Sequence, residues 1–398
     1  MALQQSPSIA AIRHAVPAVT STVFLNTGTY GPLPTAAFAA MVERERRDLE
    51  HGRSNVDLWP ADRATFEEIQ PLFARVAGCA PEEIALQRGT TFGMNTAVWG
   101  LDWRPGDEIV VSDLEHIGGL AAAYNLRERL GVGVRFAACE GAESVSGAIR
   151  EQITPRTRAI VCSHVAWGTG FVFPIAELAE AAHAAGALLF VDGAQSAGAV
   201  PLDMRALGVD AYAMPGQKWL CGPGDTGALY VSPRALERLH ASFGNYASFE
   251  SFDEVGAAVM QPGARRFELG VGFVPAVFGL RASLRWIVEE VGLDFVQTRT
   301  AELADYARER LAGVDGVDAQ TPIGTRSGLT HFTFAGWEPM AVAEELFDRG
   351  IVIRAVSRPP GLRCSTGFYN NHDDVDRLAD GLKSLHGAQP HASRNAAH

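Results

Sequence analysis

The sequence is poor in positive charge, in long hydrophobic runs and in paired cysteines. Its 398 residues carry a formal net charge of −12, which argues against nucleic acid or an anionic membrane as a partner. No apolar run approaches the roughly 20 residues of a membrane span, and the N-terminus has no secretory hydrophobic segment. The 5 cysteines are odd in number and lack the spacing of a zinc site or a disulfide framework. We therefore expect a cytoplasmic protein with reduced thiols.

Motifs for nucleotides and metals are missing as well. The sequence contains no P-loop and no HExxH motif, and its 11 histidines do not cluster as metal ligands would. Residues 222–227 match the spacing GxGxxG, but in a dinucleotide site this motif follows a strand and opens a helix. Here residues 228–232 have the pattern of a strand instead. We interpret the glycines as a turn and expect neither a nicotinamide site nor a metal site.

What the sequence does contain is an alternation of strand and helix patterns. Apolar runs typical of strands occur at 84–87, 108–113, 134–138, 159–165 and 187–191. Helical patterns lie between them at 90–101, 119–130, 146–153 and 175–185. This alternation predicts an α/β fold built from βα units around a mostly parallel sheet.

The pattern changes after about residue 275 to a smaller α+β unit. A long helical segment at 279–311 is interrupted near Gly292, and it precedes strands at 329–334, 351–355 and 362–365 and helices at 340–348 and 372–385. With 47% hydrophobic residues, the chain can bury one large core and a smaller second one. We predict an N-terminal arm (1–22), a large domain (23–275), a small C-terminal domain (276–386) and a disordered tail (387–398).

Two residues carry the clearest chemical signal. Asp192 follows the apolar run at 187–191, at the position where open α/β sheets bind ligands. Lys218 lies in apolar and glycine-rich surroundings without an acidic neighbour, so its amine loses its proton easily and can form a Schiff base. Taken singly, Asp192 could simply cap the helix that follows the strand, and Lys218 could simply be a surface lysine. Together they predict pyridoxal 5′-phosphate (PLP), which needs a lysine for its aldehyde and an acid beside its pyridine nitrogen.

Other stretches offer polar groups to such a site. Thr90 and Thr91 open a helix, where free backbone N–H groups suit a phosphate, although from this stretch alone an ordinary threonine cap is the favoured explanation. His116 follows a strand and could lie flat on a cofactor ring or be a structural histidine. Arg354 and Arg363 could hold carboxylates as bidentate forks, or be solvated on a sheet edge. An acidic chain with such an arginine pair favours a small anionic substrate.

A glycine-rich loop, LNTGTYGPLP at residues 25–34, precedes the first long helical pattern. Its Asn26 and Tyr30 offer hydrogen-bonding groups beside flexible glycines. The loop could therefore enter the site, or it could simply connect two elements.

Seven segments occur in a characteristic order along the chain. They read RGTTFGMN, DLEHIGG, SHVAWGTG, VDGAQSAG, GQKWLCGPGDTGALYV, RRFELG and LRCSTGFYNNHDDVDRL. Together they resemble the class V aminotransferase family of PLP fold type I, over nearly the whole chain from Phe24 to about Leu385. VWGLDW and the two arginines nine residues apart are similar to L-cysteine/cystine carbon–sulfur lyases, and LNTGTYGPLP is similar to isopenicillin N epimerase-like proteins. The resemblance implies a mostly parallel sheet of seven-stranded type and a homodimer.

The resemblance also implies roles for matching residues. Lys218 would be the Schiff-base lysine, Asp192 the partner of the pyridinium nitrogen and Gln195 a donor to the phenolic oxygen of the ring. Further contacts to the cofactor would come from His116 stacked on the ring, Thr90 and Thr91 at the phosphate, and Gln217 and Trp167. Arg363 would bind the substrate α-carboxylate and Arg354 a second carboxylate or a distal group, with Asn26 and Tyr30 close by.

Some positions depart from the family pattern. Cysteine desulfurases of this family carry a nucleophilic cysteine on the loop before the carboxylate-binding arginine, but residues 354–360 contain none. Cys364 follows that arginine and is expected to face the core. Gln217 stands where many relatives have a histidine, and Trp167 stands where many have an asparagine. Val271 stands where a threonine of the partner chain commonly contacts phosphate.

These residues lead to an expected reaction. We expect a PLP-dependent carbon–sulfur β-lyase that acts on cystine or an S-substituted cysteine, with Lys218 removing the Cα proton as a general base. The products would be pyruvate, ammonia and a thiol or persulfide. Because the same Cα carbanion can be reprotonated, an aminotransferase or an epimerase is the alternative. A cysteine desulfurase and a non-catalytic binding protein of the same fold are further alternatives.

Overall fold

The computed structural model of the protein describes residues 7–270 and 272–386, so the predicted tail, the start of the arm and Val271 lie outside the described residues. In chain order, the strands are β1 (Val23–Phe24), β2 (Ile84–Gln87), β3 (Glu108–Ser112), β4 (Gly133–Ala137), β5 (Thr157–Ser163), β6 (Leu188–Asp192), β7 (Ala211–Pro215), β8 (Gly227–Val231), β9 (Phe249–Phe252), β10 (Ala258–Met260), β11 (Val317–Ala319), β12 (Leu329–Phe334), β13 (Ile351–Val352), β14 (Arg354–Ser357) and β15 (Pro360–Ser365). The helices are α1 (Ile9–Ala15), α2 (Ala18–Ser21), α3 (Thr35–His51), α4 (Trp59–Ala77), α5 (Thr90–Trp99), α6 (Ile117–Leu130), α7 (Val145–Gln152), α8 (Ile175–Ala184), α9 (Met204–Leu207), α10 (Pro233–Leu236), α11 (Val274–Arg285), α12 (Leu293–Ala312), α13 (Pro339–Asp348) and α14 (His372–Leu385).

Within the described residues, a seven-stranded sheet forms the centre of the large domain, in the order β2-β8-β7-β6-β5-β3-β4. Neighbouring strands from β4 to β7 in this order run parallel, whereas β8 is antiparallel to both β7 and β2. Strands β3 and β6 are buried along their whole length, which explains why they were predicted from apolar runs. Strand β7 is equally buried but was not among the predicted strands. The predicted α/β fold with a mostly parallel sheet is confirmed.

Helices cover both faces of this sheet and enclose a separate apolar core on each side. Leu189 and Val191 of β6 belong to one core, whereas Leu188 and Phe190 belong to the other. This division follows from the strand geometry, because successive side chains point to opposite faces. Asp192 is the last residue of β6, so its carboxylate lies at the carboxyl edge of the sheet, between the two cores.

The C-terminal part of the chain forms a four-stranded antiparallel sheet in the order β11-β12-β15-β14, within the described residues, and it has its own apolar core. The predicted interruption of the long helix is confirmed, since a π-helical turn, Trp286–Gly292, separates α11 from α12. The single strand predicted at 351–355 is instead two strands, because β13 pairs with β1 and β14 pairs with β15. No helix in the described part of the chain is long and apolar enough to cross a membrane.

The N-terminal segment is attached to both parts of the molecule. Ile12 of α1 is buried in a core of the large domain, and its neighbour Arg13 forms an ion pair with Asp374 of α14 at 2.7 Å. Strand β1 runs parallel to β13, and Asn26 bridges to Ser365. The predicted division placed β1 in the large domain, whereas the strand pairs with the C-terminal part. The glycine-rich loop that follows β1 is thereby held at the junction of the two parts.

Candidate active site

A cavity of about 290 Å³ opens at the carboxyl edge of the seven-stranded sheet. Three parts of the chain supply its walls, namely the glycine-rich loop after β1, the turns that follow the sheet strands, and β14 of the C-terminal sheet. Its lining residues are Gly28, Thr29, Tyr30, Arg88, Gly89, Thr90, Thr91, Phe92, His116, Gly118, Asp192, Ala194, Gln217, Lys218 and Arg354. Most of the residues predicted for the site are therefore brought together.

Lys218 lies on the turn that follows β7, and the glycine-rich loop packs directly on this turn. The backbone N–H of Gly31 donates to the carbonyl of Gln217 at 2.8 Å, and a side chain at Gly31 would collide with the Lys218 carbonyl. The pKa of the Lys218 amine is lowered to about 8, chiefly by burial and also by Arg363 and Arg354, while the charge of Asp192 opposes the shift. The amine therefore loses its proton more readily than that of an exposed lysine, as suits a nucleophile or a base.

Asp192 is buried in the cavity wall at the end of β6. One carboxylate oxygen, Oδ1, accepts a hydrogen bond from the Ala194 backbone N–H at 2.8 Å. Burial raises the pKa of the Asp192 carboxyl, and the positive charge of Lys218 partly offsets this. A protonated pyridine nitrogen is the kind of partner that a buried carboxylate needs, so the position fits the predicted role.

His116 forms the N-cap of α6 and faces the cavity. Its Nδ1 accepts a hydrogen bond from the Gly118 backbone N–H at 3.1 Å, which places the ring proton on Nε2. Burial lowers the pKa of His116 to about 4, and Lys218, Arg354 and Arg363 add to this effect. The ring is therefore neutral, and Trp167 packs against it edge to face at a centroid distance of 5.3 Å.

The other end of the cavity has the features of an anion site. Helix α5 begins there at Thr90, preceded by Gly89 with a φ of +127°, which favours glycine. Within the described residues, Thr90 Oγ1 and Gln217 Oε1 are buried atoms without a hydrogen-bond partner. The Thr90 hydroxyl can donate to a phosphate oxygen, as can the free N–H groups at this helix N-terminus, so this end fits the phosphate of PLP. Thr91 lies at the exposed rim.

Gln195 lies behind the cavity wall rather than in the lining. Its amide nitrogen donates to the Gly28 carbonyl at 2.8 Å, and its oxygen accepts from the Trp219 indole at 3.1 Å. The second amide hydrogen is the one that a ligand oxygen could use. Gly28 is needed for this packing, since a side chain there would lie 2.9 Å from the Gln195 oxygen.

Two arginines are neighbours on adjacent strands of the C-terminal sheet, and Arg354 lines the cavity whereas Arg363 is not among its lining residues. Arg354 of β14 pairs directly with Arg363 of β15, an arrangement in which like charges repel. Arg363 is only 1% exposed, so it is not the solvated edge residue that was the alternative prediction. Burial lowers the pKa of Arg363 to about 9, and the neighbouring Arg354 adds to this. Within the described residues, no carboxylate forms an ion pair with either arginine at 4.0 Å or less, so the pair is suited to an anionic ligand.

Thr29 joins the two arginines and was missed by the sequence analysis. Its hydroxyl accepts hydrogen bonds from Arg354 at 3.0 Å and from Arg363 at 3.1 Å, and it donates to Asn26 at 2.7 Å. Asn26, predicted to bind substrate, thus reaches the site through Thr29 and is not among the lining residues. Tyr30 does line the cavity, and it is 59% exposed.

The remaining predictions concern Trp167, Cys364 and the lysine. The Trp167 carbonyl accepts a hydrogen bond from Arg363 at 2.7 Å, so the residue links the arginine pair to His116. Cys364 is fully buried in the C-terminal core, as expected, and the cavity lining contains no cysteine. A signal that the sequence offered is the scarcity of lysine, because the chain contains only Lys218 and Lys383.

Comparison with known proteins identifies the family of the chain. The family model of aminotransferase class V matches residues 32–378. A probable cysteine desulfurase of Methanothermobacter thermautotrophicus is 27% identical, over 94% of this chain and 98% of that protein. The isopenicillin N epimerase of Streptomyces clavuligerus is 31% identical, over 92% of this chain and 95% of that protein.

Solved structures give the same result for the fold. The cystine C–S lyase C-DES, in complex with its reaction product cysteine persulfide, superimposes with a TM-score of 0.88 and 25% identity, over 92% of this chain and 99% of that chain. A C-DES variant with glycine covalently linked to the PLP cofactor superimposes with a TM-score of 0.89, at 25% identity over 95% of this chain and 99% of that chain. The protein therefore belongs to the class V aminotransferase family, whose enzymes use pyridoxal 5′-phosphate.

Proposed function

We propose that the protein is a carbon–sulfur β-lyase that cleaves cystine or an S-substituted cysteine to pyruvate, ammonia and a thiol or persulfide. The observation that carries this proposal is the arginine pair beside Lys218. Arg354 and Arg363 lie side by side without a carboxylate partner among the described residues, and both raise the tendency of Lys218 to lose its proton. An amino acid held by its carboxylate at this pair would occupy the cavity that Lys218 also lines.

Different residues of the chain have different roles in the proposed reaction. When bound, PLP withdraws electrons from the substrate Cα. Asp192 would keep the pyridine nitrogen protonated, and His116 would contact the cofactor as a neutral imidazole. Lys218, through its free amine, would accept the Cα proton of the bound substrate.

The leaving group then decides the outcome. Departure of the β-sulfur with the electron pair of the C–S bond leaves aminoacrylate, and one water converts this product to pyruvate and ammonia. No residue has to act as a sulfur nucleophile in this reaction. This agrees with a cavity lining without cysteine and with a 354–360 segment that contains none, whereas a desulfurase needs a cysteine to take up the sulfur.

Arg363 and Arg354 provide the basis for substrate recognition. We assign the α-carboxylate to Arg363, which is held by the Trp167 carbonyl, and a second carboxylate or other distal acceptor to Arg354. We further propose a homodimer, because α3 carries exposed apolar side chains on one face. We propose a cytoplasmic location, because the 5 cysteines lack the spacing of a disulfide framework.

An aminotransferase or epimerase is the second candidate, and the similarity to isopenicillin N epimerase favours it. The same removal of the Cα proton by Lys218 serves these reactions, which differ in where a proton returns. A substrate without a leaving group at Cβ would follow this course.

The two candidates are separated by following pyruvate from cystine and S-substituted cysteines in the absence of a keto acid. We expect catalytic pyruvate release that disappears in Lys218→Ala. Lys383→Ala, which removes the other lysine of the chain, is the matched control and should retain activity. Turnover that needs a keto acid, or inversion at Cα without pyruvate, would show that the lyase assignment is wrong and the second candidate right.

A further inference from the structure

Thr29 occupies an unusual position between two positive charges. It lies on the glycine-rich loop after β1, where its backbone N–H closes a turn with the Asn26 carbonyl at 3.0 Å. Its side chain lines the cavity and is half-buried. Arg354 and Arg363 come from adjacent strands more than 300 residues away, and both donate to the same Thr29 oxygen.

The hydrogen bonds of this hydroxyl use its full capacity. A threonine hydroxyl has one proton to donate and two lone pairs to accept with. The proton goes to Asn26 Oδ1 at 2.7 Å, so both lone pairs are free to accept from the guanidinium groups. Asn26 itself is held by its bridge to Ser365, the residue two places after Arg363. The orientation of the Thr29 hydroxyl is therefore fixed.

A neutral acceptor at this point has a different effect from a carboxylate. An aspartate between the arginines would neutralise them and compete with a substrate carboxylate. The Thr29 oxygen engages one N–H of each guanidinium group, and an arginine has five such donors. Thr29 thus holds two mutually repelling groups in place while leaving donors on both for ligands.

We propose that Thr29, oriented by Asn26, is a positioning residue that sets the arginine pair to accept an amino acid with two carboxylates. This inference rests on the proposed lyase function and refines its substrate class. Without the hydroxyl, Arg354 loses its hydrogen bond to the loop and turns away from Arg363. The α-carboxylate keeps its contact with Arg363, because the Trp167 carbonyl still holds that side chain.

The test compares cystine, which has two carboxylates, with S-methylcysteine, which has one. In Thr29→Val, we expect the ratio of their kcat/KM values to fall about tenfold, the size of one hydrogen bond to a charged group. Thr29→Ser restores the hydroxyl and should keep the ratio within about threefold of the parent value. An equal loss for both substrates would contradict the proposal, since Thr29 would then support only the common α-carboxylate site.

A binding measurement on the holoenzyme tests Thr29 independently of turnover. Suberate spaces its carboxylates by as many chain atoms as cystine does, and octanoate is the matching acid with one carboxylate. By calorimetry, Thr29→Val should weaken suberate about tenfold and leave octanoate within about threefold. Wild-type enzyme that binds suberate no better than octanoate would overturn the proposal.

Two outcomes separate this inference from the proposed function. If wild-type enzyme releases no pyruvate from either substrate, the lyase function fails, while the suberate measurement still decides the role of Thr29. If Thr29→Val does not fold, Asn26→Ala replaces it, because loss of the Asn26 acceptor frees the hydroxyl proton to turn towards the arginines. That variant should lower the same ratio, and an unchanged ratio would contradict the proposal.

Discussion

Glu115 is a buried carboxyl group close to the cofactor site that the proposed chemistry does not use. Its two oxygens accept hydrogen bonds from the Ser163 backbone N–H at 2.8 Å and from the Ser163 hydroxyl at 2.6 Å. A side chain at Gly119 would lie within 4 Å of both the Glu115 and the Asp192 carboxyl groups. Of these two groups, Asp192 has a positive charge nearby in Lys218, so Glu115 is the one that keeps a proton.

This arrangement gives a pH-dependent stability with a defined sign. Burial raises the pKa of Glu115 from 4.5 to about 8, with Asp192 adding to the shift and Ser163 opposing it. Between these two values the unfolded chain has lost the proton and the folded protein has kept it, so stability falls as pH rises and levels off above about 8.

Glu115→Gln removes this penalty, because glutamine stays neutral and its amide can still pair with the Ser163 hydroxyl. We expect the difference in free energy of unfolding between the Glu115→Gln apoprotein and the parent apoprotein to grow, in favour of the variant, by at least about 1 kcal/mol as the pH rises from 5 to 8. Urea unfolding at three pH values measures this free-energy difference, and substitution of an exposed glutamate, Glu128→Gln, is the control. A difference that does not change with pH would show that Glu115 is ionised in the folded protein.

The residues of the site differ in how well the sequence predicted them. Lys218, Asp192 and His116 stand in local contexts that carry information, namely a turn after a strand, a strand end and a helix start. Thr29 has no such local signal, because its partners are Arg354 and Arg363 and the contact exists only once β1 has paired with the C-terminal part. Burial of an arginine is likewise a property of the packed structure.

At the scale of elements, the N-terminus of α5 supplies the next prediction. The Thr90 hydroxyl is buried there without a partner among the described residues, and an unpaired buried hydroxyl costs stability. Thr90→Val should therefore leave the apoprotein as stable or up to roughly 1 kcal/mol more stable. The same change removes a donor to the phosphate, so PLP affinity should fall about tenfold.

Urea unfolding of the apoprotein and equilibrium dialysis of PLP measure the two effects. Thr96→Val is the matched control on the same helix, because the Thr96 hydroxyl already donates to Gln87 at 3.4 Å. That control should lose stability and keep its PLP affinity. If Thr90→Val bound PLP as tightly as the parent, the phosphate would have to be placed elsewhere in the cavity.

The elements themselves were largely predictable, for physical reasons that also explain the exceptions. Buried parallel strands such as β6 are continuous apolar runs, and the helices between them have a clear period, so most bounds were predicted to within about two residues. The division of residues 351–355 into β13 and β14 was not predicted, because it depends on a change of pairing partner. Long-range pairing leaves no periodic trace in the sequence.

At the scale of the whole molecule, the cavity is made by parts of the chain that are far apart. The large domain supplies Lys218, Asp192 and His116, whereas the C-terminal sheet supplies Arg354, with Arg363 paired beside it. The glycine-rich loop connects the two sets, since it packs on the Lys218 turn through Gly31 and on the arginines through Thr29. The residues proposed for the cofactor and those proposed for the substrate thus come from separate parts of the fold that meet at one loop.

The last prediction concerns the proposed homodimer. Helix α3 exposes Phe38, Val42 and Leu49, which are 59%, 48% and 85% exposed. Their spacing places them on one face of the helix, and an exposed apolar stripe of this kind is typical of a surface that another chain covers. We expect the wild-type protein to have the mass of a dimer in light scattering, and Phe38→Asp with Leu49→Asp to shift it to the monomer.

The design of this experiment depends on a matched surface residue. Phe347 on α13 is also apolar and is 65% exposed, but it lies on the C-terminal part of the molecule. Phe347→Asp changes charge and hydrophobicity in the same way as Phe38→Asp, so it should leave the mass unchanged if α3 forms the interface. Loss of the dimer in both variants would indicate general destabilisation, and a dimer that survives the α3 substitutions would place the contact on another face, because two buried aspartates are too costly for an apolar interface.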